Sequence, residues 1–224
     1  ICYANTHAPY VAETETPWIR VKGESPAVSP ELTVTGRPAK ALRLIAPSGA
    51  EPDEPFDVLA VSLDEFDNVS CSCFENEALA LQDGTVVAEG LSFTGRLRVP
   101  VRMGAEGVFR FRMRDAISNA IVVGAGRRGP FWGDLHIHTK LSQDGQGTDP
   151  YSYAREVSGL DLAAVTDHWD SLGPEGYRIL ESWAEEAHAP GRFVTIPGDE
   201  RSPKELTGHH NVYFRDIETL RRHR

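Results

Sequence analysis

Cysteine is scarce in this 224-residue chain, with only Cys2, Cys71 and Cys73, and so few thiols exclude the disulfide framework of a small secreted domain. A reducing compartment is the expectation. Cys71 and Cys73 stand two apart in SCSCFE, where a C-x-C pair alone is weak evidence for a metal and reads as two partly buried thiols. Long apolar runs are absent too: none approaches the roughly 20 residues needed to span a bilayer. The opening ICYANTHAPY lacks the basic and apolar regions of a signal peptide, so no membrane partner and a cytoplasmic location are expected. Positive charge is in deficit, with 23 Lys and Arg against 33 Asp and Glu for a net charge of -10. No basic stripe is available to neutralise a phosphate backbone, so no nucleic-acid partner is expected. A small anionic substrate fits only where bound cations supply local positive charge.

What is present divides in two. Hydrophobic residues make up 40% of the chain, enough for one large or two modest cores, and the grammar changes near residue 125. From Thr16 to Val123 the sequence is a series of short β-rich runs: Trp18 to Lys22, Leu32 to Thr35, Ala41 to Ile45, Phe56 to Leu63, Thr85 to Ala88, Leu97 to Arg102, Val108 to Arg114 and Ala120 to Val123. Turn-rich segments such as PSGAEPDEP, LDEFDN, QDGT and MGAEG separate them. In GVFRFRMRD, apolar Val108, Phe109, Phe111 and Met113 interleave with Arg110, Arg112 and Arg114 in near period two, so one face is buried and the other solvated. This pattern predicts an antiparallel, immunoglobulin-like β-sandwich over residues 1–125, including an N-terminal extension.

GAGRRGP, residues 124 to 130, is the predicted boundary to a second domain at 130–224. There Phe131 to His138 reads as a strand, and Asp149-Pro150 offers an N-cap and first-turn proline for a helix through Val157. Leu160 to Thr166 is a short apolar run suited to a buried strand, and Pro174 opens a helix to His188. Phe193 to Pro197 and Asn211 to Phe214 read as further strands, and Asp216 begins a last helical stretch. Strand alternating with helix predicts a parallel α/β arrangement, barrel or open sheet, with functional residues at the carboxyl ends of the strands.

Those ends are rich in metal-binding side chains. GDLHIHTKLSQDG places His136 and His138 one residue apart, so both imidazoles leave on one strand face. Neutral imidazole suits Zn, Mn or Fe. Asp144 follows in a turn-forming QDG and can bring a hard carboxylate to the same strand end. LAAVTDHWD sets Asp167 and His168 where the next apolar run stops, the pattern of a metal ligand beside a carboxylate that orients its ring. FVTIPGDE presents Glu200, whose two oxygens can bridge two cations. GHHNVYF adds His209 and His210, of which alternation lets only one be a ligand. Each motif is weak singly, but core packing gives no reason for His or Glu at successive strand ends.

In order and context, DLHIHT, QDG, TDH, PGDE and GHHNVYF resemble the metal-binding motifs of the PHP (polymerase and histidinol phosphatase) superfamily, and most closely a bacterial branch with a β-sandwich ahead of them. The resemblance covers residues 131 to 215. It implies an α+β multi-domain protein in which the sandwich precedes the first half of a PHP-type β/α barrel holding up to three metal ions and hydrolysing phosphoesters. By that pattern His136 and His138 bind the first metal and His168 a neighbouring one. Glu200 bridges, Asp144 stands where members have His or Asp, and His209 or His210 follows the Glu. The family's pattern also requires further strands, a later His or Cys and an Asp-x-His, so continuation past Arg224 is expected.

The reaction so implied is attack on a small phosphate ester by water that the cations acidify. Asp167 is expected to fix the His168 tautomer, and Lys140 and Arg201 are the candidates to face substrate oxygens. The residues leave two alternatives: a non-catalytic metal- or partner-binding protein with an incomplete site, and a metal-dependent amide or lactone hydrolase, since the same activated water attacks carbonyl carbon.

Overall fold

The structure is a computed structural model that describes residues 11–12, 14–15, 32–127, 129–142, 144–202 and 208–223. The expected strand Trp18 to Lys22 lies outside the described residues. β1 (Thr14–Glu15) and β2 (Leu32–Thr33) form a short antiparallel ribbon. Next along the chain come β3 (Ala41–Ile45), β4 (Gly49–Ala50), β5 (Pro55–Leu63), β6 (Cys73–Leu81), β7 (Val86–Thr94) and β8 (Arg96–Arg102). β9 (Gly107–Phe109), β10 (Phe111–Met113), β11 (Ala116–Ile117) and β12 (Ile121–Val123) complete this half. They form sheets of order β3-β5-β8, β11-β10-β6-β7 and β4-β12-β9.

Leu44, Val58, Val99 and Val101 of the first sheet share one apolar cluster with Phe74, Leu79, Phe93, Phe111 and Met113 of the second, the arrangement of a β-sandwich. The longest strand that the sequence pattern missed is β6. Its ENEALA stretch has a helix-like composition, and Asn76 at φ 54° breaks the alternation where pairing with β7 shifts register. Buried Glu77 is neutralised there by Arg114. Cys71 and Cys73, expected to be partly buried, are exposed.

β5 departs from alternation for a different reason. Val58 to Leu63 are all buried, because Leu59, Val61 and Leu63 turn away from the sandwich core to pack on Val157 of the second half. Across this junction Arg98 Nε donates to Glu156 at 2.9 Å, the Tyr153 hydroxyl to the Asp67 carbonyl at 2.9 Å and Trp132 Nε1 to Ser48 at 2.7 Å. Burial opposes ionisation of Glu156, but its bonds from Arg98 and Arg155 outweigh that and hold the carboxyl below its ordinary range. A carboxyl depressed in the folded state stabilises above its unfolded pKa, and that stabilisation disappears as pH falls through the folded value. Glu156→Gln should therefore cost roughly 1–2 kcal/mol at neutral pH. The gap in thermal midpoint between variant and wild type should close as pH drops below about 4.

The second half contains β13 (Gly133–Ile137), α1 (Pro150–Glu156), β14 (Leu162–Val165), α2 (Trp169–Ala187), β15 (Val194–Arg201), β16 (His210–Tyr213) and α3 (Ile217–His223). Asp149 caps α1 by accepting from Ser152 N–H at 3.1 Å. α2 begins before the predicted proline, but Gly173 at φ 53° interrupts it and regular helix resumes at Pro174. The sheet order is β13-β14-β15-β16. The helices cover one face, where Tyr151, Ala163, Val165, Tyr177, Leu180 and Phe193 form the core.

The expectation of the first half of a β/α barrel is overturned. Among the described residues strands make up 42% and helices 18%, and no half barrel is evident. β13, β14 and β15 are parallel, but β16 returns antiparallel beside β15. Only residues 202–209 join those two strands, and a parallel crossover needs about a dozen or more.

Candidate metal centre

The site lies on the sheet face away from the helices, at the carboxyl ends of β13 and β14. β15 runs further than its apolar stretch suggested, so Glu200 sits within the strand, bridged to His168 at the end of β14. Period two then assigns the faces: Gly198 and Glu200 look to the site, while Asp199 and Arg201 look to the helices. Glu200 is 4% exposed, and its oxygens gather imidazoles from three segments. Oε2 lies 2.7 Å from His138 Nε2, 3.2 Å from His136 Nε2 and 3.7 Å from His168 Nδ1. Oε1 lies 2.7 Å from His209 Nδ1. On the far side of the cluster Asp144 reaches His138 Nδ1 at 3.0 Å and His168 Nε2 at 3.2 Å.

The three overlapping groups His136–His138–Glu200, His138–Asp144–His168 and His168–Glu200–His209 each offer ligand atoms within 4.8 Å of one another, close enough to hold a divalent cation. In the first, His136 Nε2 and His138 Nε2 are 3.1 Å apart. Bonds of about 2.0–2.1 Å to a tetrahedral ion place neighbouring ligand atoms roughly 3.3 Å apart. A neutral imidazole has a lone pair on one nitrogen only, so His138 and His168, which enter two groups through different nitrogens, each serve one group at a time. At most two of the three groups fill together. With His138 Nε2 given to the first, its Nδ1–H is left to donate to Asp144, the carboxylate–histidine pairing that orients metal-bound rings.

Burial disfavours the Glu200 anion, yet hydrogen bonds to His136 and His209 and the electrostatic influence of His168 and His138 outweigh it, and the carboxyl is lowered from its ordinary value. Asp144 is lowered in the same way by His138 and His168 against a desolvation cost. The cluster already favours the ionised carboxylates that a cation requires.

Asp167 plays a different part from the one its neighbour suggested. It has no accessible surface, and its carboxylate accepts from Thr139 N–H and Thr139 Oγ1, both at 2.7 Å. It therefore clamps the loop after His138 and does not touch the His168 ring. Ser142 accepts from His168 N–H at 2.8 Å, tying the same loop to the end of β14. Gly145 completes the wrap, because a Cβ there would overlap the Thr139 carbonyl and the His138 backbone. Thr139, Ser142 and Gly145 were not singled out by sequence, although all lie within the first motif.

Comparison with protein-family models and with curated proteins gives no match. What the cluster does follows from its own residues. Lys140 is exposed on the loop beside it. Arg201 is not turned to it: its guanidinium pairs with Asp199 at 2.9 Å, and Asp199 also accepts from Tyr177 at 3.0 Å. His210 faces away with Arg201, its partner in register, and belongs to none of the three groups. A groove of about 830 Å³ between the two halves, lined by Arg98, Trp132 and Asp161 among others, lies apart from the cluster. Among the described residues no helix is long and apolar enough to cross a membrane.

Proposed function

We propose that the cluster is the centre of a metal-dependent hydrolase, binding Zn, Mn or Fe and acting on a small phosphate ester. One observation carries the metal reading: ligand-type side chains from four separate segments, His136 and His138, Asp144, His168, and Glu200 with His209, converge on one spot without forming an apolar core. Packing alone gives imidazoles no reason to face one another and a buried carboxylate. Mixed imidazole and carboxylate donors form a borderline set, which selects those cations over Mg or Ca. The motif order shared with PHP proteins supports phosphoester chemistry over the alternatives.

A cation held here supplies positive charge for a phosphoryl group and acidifies a water molecule. The protein's own residues do the rest. Glu200 offers one oxygen to each side of the cluster, Asp144 holds the spare N–H of His138, and Asp167 keeps the intervening loop rigid through Thr139. Lys140 is the cation nearest in sequence to His138 and is proposed to meet substrate oxygens that the metal leaves uncovered.

Elemental analysis of protein purified without chelators is the test. Wild type is expected to carry at least one equivalent of transition metal, and the His136→Ala, His138→Ala double variant to lose most of it. Equal, low content in both proteins overturns the metal reading. Turnover of phosphate esters, set against amides and lactones under the same metal, tests the reaction class.

A further inference from the structure

β13 is irregular where it carries His136. Its pairing with β14 runs Gly133↔Leu162, Asp134↔Ala163 and then Ile137↔Val165, so Leu135 and His136 together oppose a single residue. Such a bulge interrupts the ladder, and the peptide joining Leu135 to His136 loses its regular partner. Two side chains take its place. Asp134 Oδ1 accepts from His136 N–H at 3.0 Å, and the Tyr213 hydroxyl donates to the Leu135 carbonyl at 2.8 Å. Both polar ends of that one peptide unit are thereby pinned. The His136 side chain itself is 54% exposed, so packing does little to hold it.

Tyr213 belongs to β16, the opposite edge of the sheet. Three strand spacings in a flat sheet would amount to about 14 Å, too far for a tyrosine to reach. The sheet therefore curls, and Gly198 leaves room for the ring to cross it. Gly198 pairs with Tyr213, and a Cβ there would stand 3.3 Å from Tyr213 Cδ1 and 3.0 Å from Thr166 Cγ2. Asn211 Nδ2 donates to the Tyr213 oxygen at 3.2 Å. A carbonyl has no proton to give, so the hydroxyl hydrogen must go to Leu135 and the hydroxyl oxygen must accept from Asn211. That order fixes the amide: Asn211 Oδ1 is turned away from Tyr213, buried and without a partner among the described residues, on the strand position opposite Glu200.

We propose that Tyr213, oriented by Asn211 and given passage by Gly198, is a positioning residue for the metal centre. It latches β16 to the bulge of β13 and so holds His136 against Glu200. The inference rests on the metal reading above. Zinc affinity by chelator competition, the visible spectrum of the cobalt-loaded protein and the thermal midpoint of the metal-free protein test it. Tyr213→Phe is expected to weaken zinc binding roughly 10- to 100-fold and to change the cobalt spectrum. Zinc stoichiometry at saturation and the metal-free midpoint should stay as in wild type. Gly198→Ala keeps the hydroxyl but displaces the ring, so it should act alike, and the double variant should be no weaker than the worse single one. Wild-type zinc affinity in Tyr213→Phe overturns the proposal. So does weakened binding with an unchanged cobalt spectrum and a lowered metal-free midpoint, which marks general loosening. Should wild type bind no zinc, or His136→Ala bind it equally well, the metal reading falls and the latch with it. A failure confined to the Tyr213 and Gly198 variants leaves that reading standing.

Discussion

Glu200→Gln is expected to reduce bound metal to well below one equivalent and to slow any metal-dependent hydrolysis by roughly three orders of magnitude. Glu200 enters two of the three candidate groups, and its oxygens face different partners, His136 and His138 from Oε2 and His209 from Oε1. A neutral amide of the same shape keeps one oxygen but loses the charge and the ability to bridge. Overall shape should survive, because the change adds no volume to a residue that is already 4% exposed. Elemental analysis beside a circular-dichroism melt separates the two effects. Full metal content in a well-folded Glu200→Gln protein would remove Glu200 from the centre.

The second large effect is on stability. Asp167→Ala removes both bonds to Thr139, a residue with no accessible surface, and leaves its N–H and hydroxyl buried without an acceptor. Losing charge-assisted bonds at a buried site costs roughly 3–5 kcal/mol. For a chain of this size that corresponds to a fall of roughly 6–20 °C in thermal midpoint. His168→Ala should behave in the opposite manner, losing metal while keeping most of the metal-free midpoint, since the His168 backbone contact to Ser142 is retained. Calorimetry of both metal-free variants decides: equal midpoints would show that Asp167 does not clamp the loop.

How far the sequence could be read depended on whether a signal was local. The N-cap at Asp149, the restart of helix at Pro174 and the helix after Asp216 depend on a few adjacent residues. Asp216 accepts from Thr219 N–H and its hydroxyl, which with Arg215 holds its carboxyl down at about 2. β6 was missed because a positive-φ residue reset its alternation. The barrel expectation failed because hydrophobic runs show where strands are but not which way the next one runs. Only the short 202–209 connection, seen with β16 already placed, shows that it turns back.

The sequence by itself determined which residue types could form the site and the order in which they arrive, because H-x-H, Asp144, TDH, PGDE and GHH are written in consecutive positions. Tertiary structure alone decided which of them meet. Strand parity turned Arg201 and His210 to the helix side and Glu200 to the site, a consequence of where β15 ends. Loop closure gave Asp167 to Thr139 in place of the His168 ring. Curl of the sheet, set by a bulge at His136 and a missing side chain at Gly198, brought an edge-strand tyrosine onto the backbone of the opposite edge. Contacts of that kind join residues 78 positions apart. Neighbouring residues in the chain do not encode them, since the angle and register at which distant strands meet are fixed only when the whole sheet has packed.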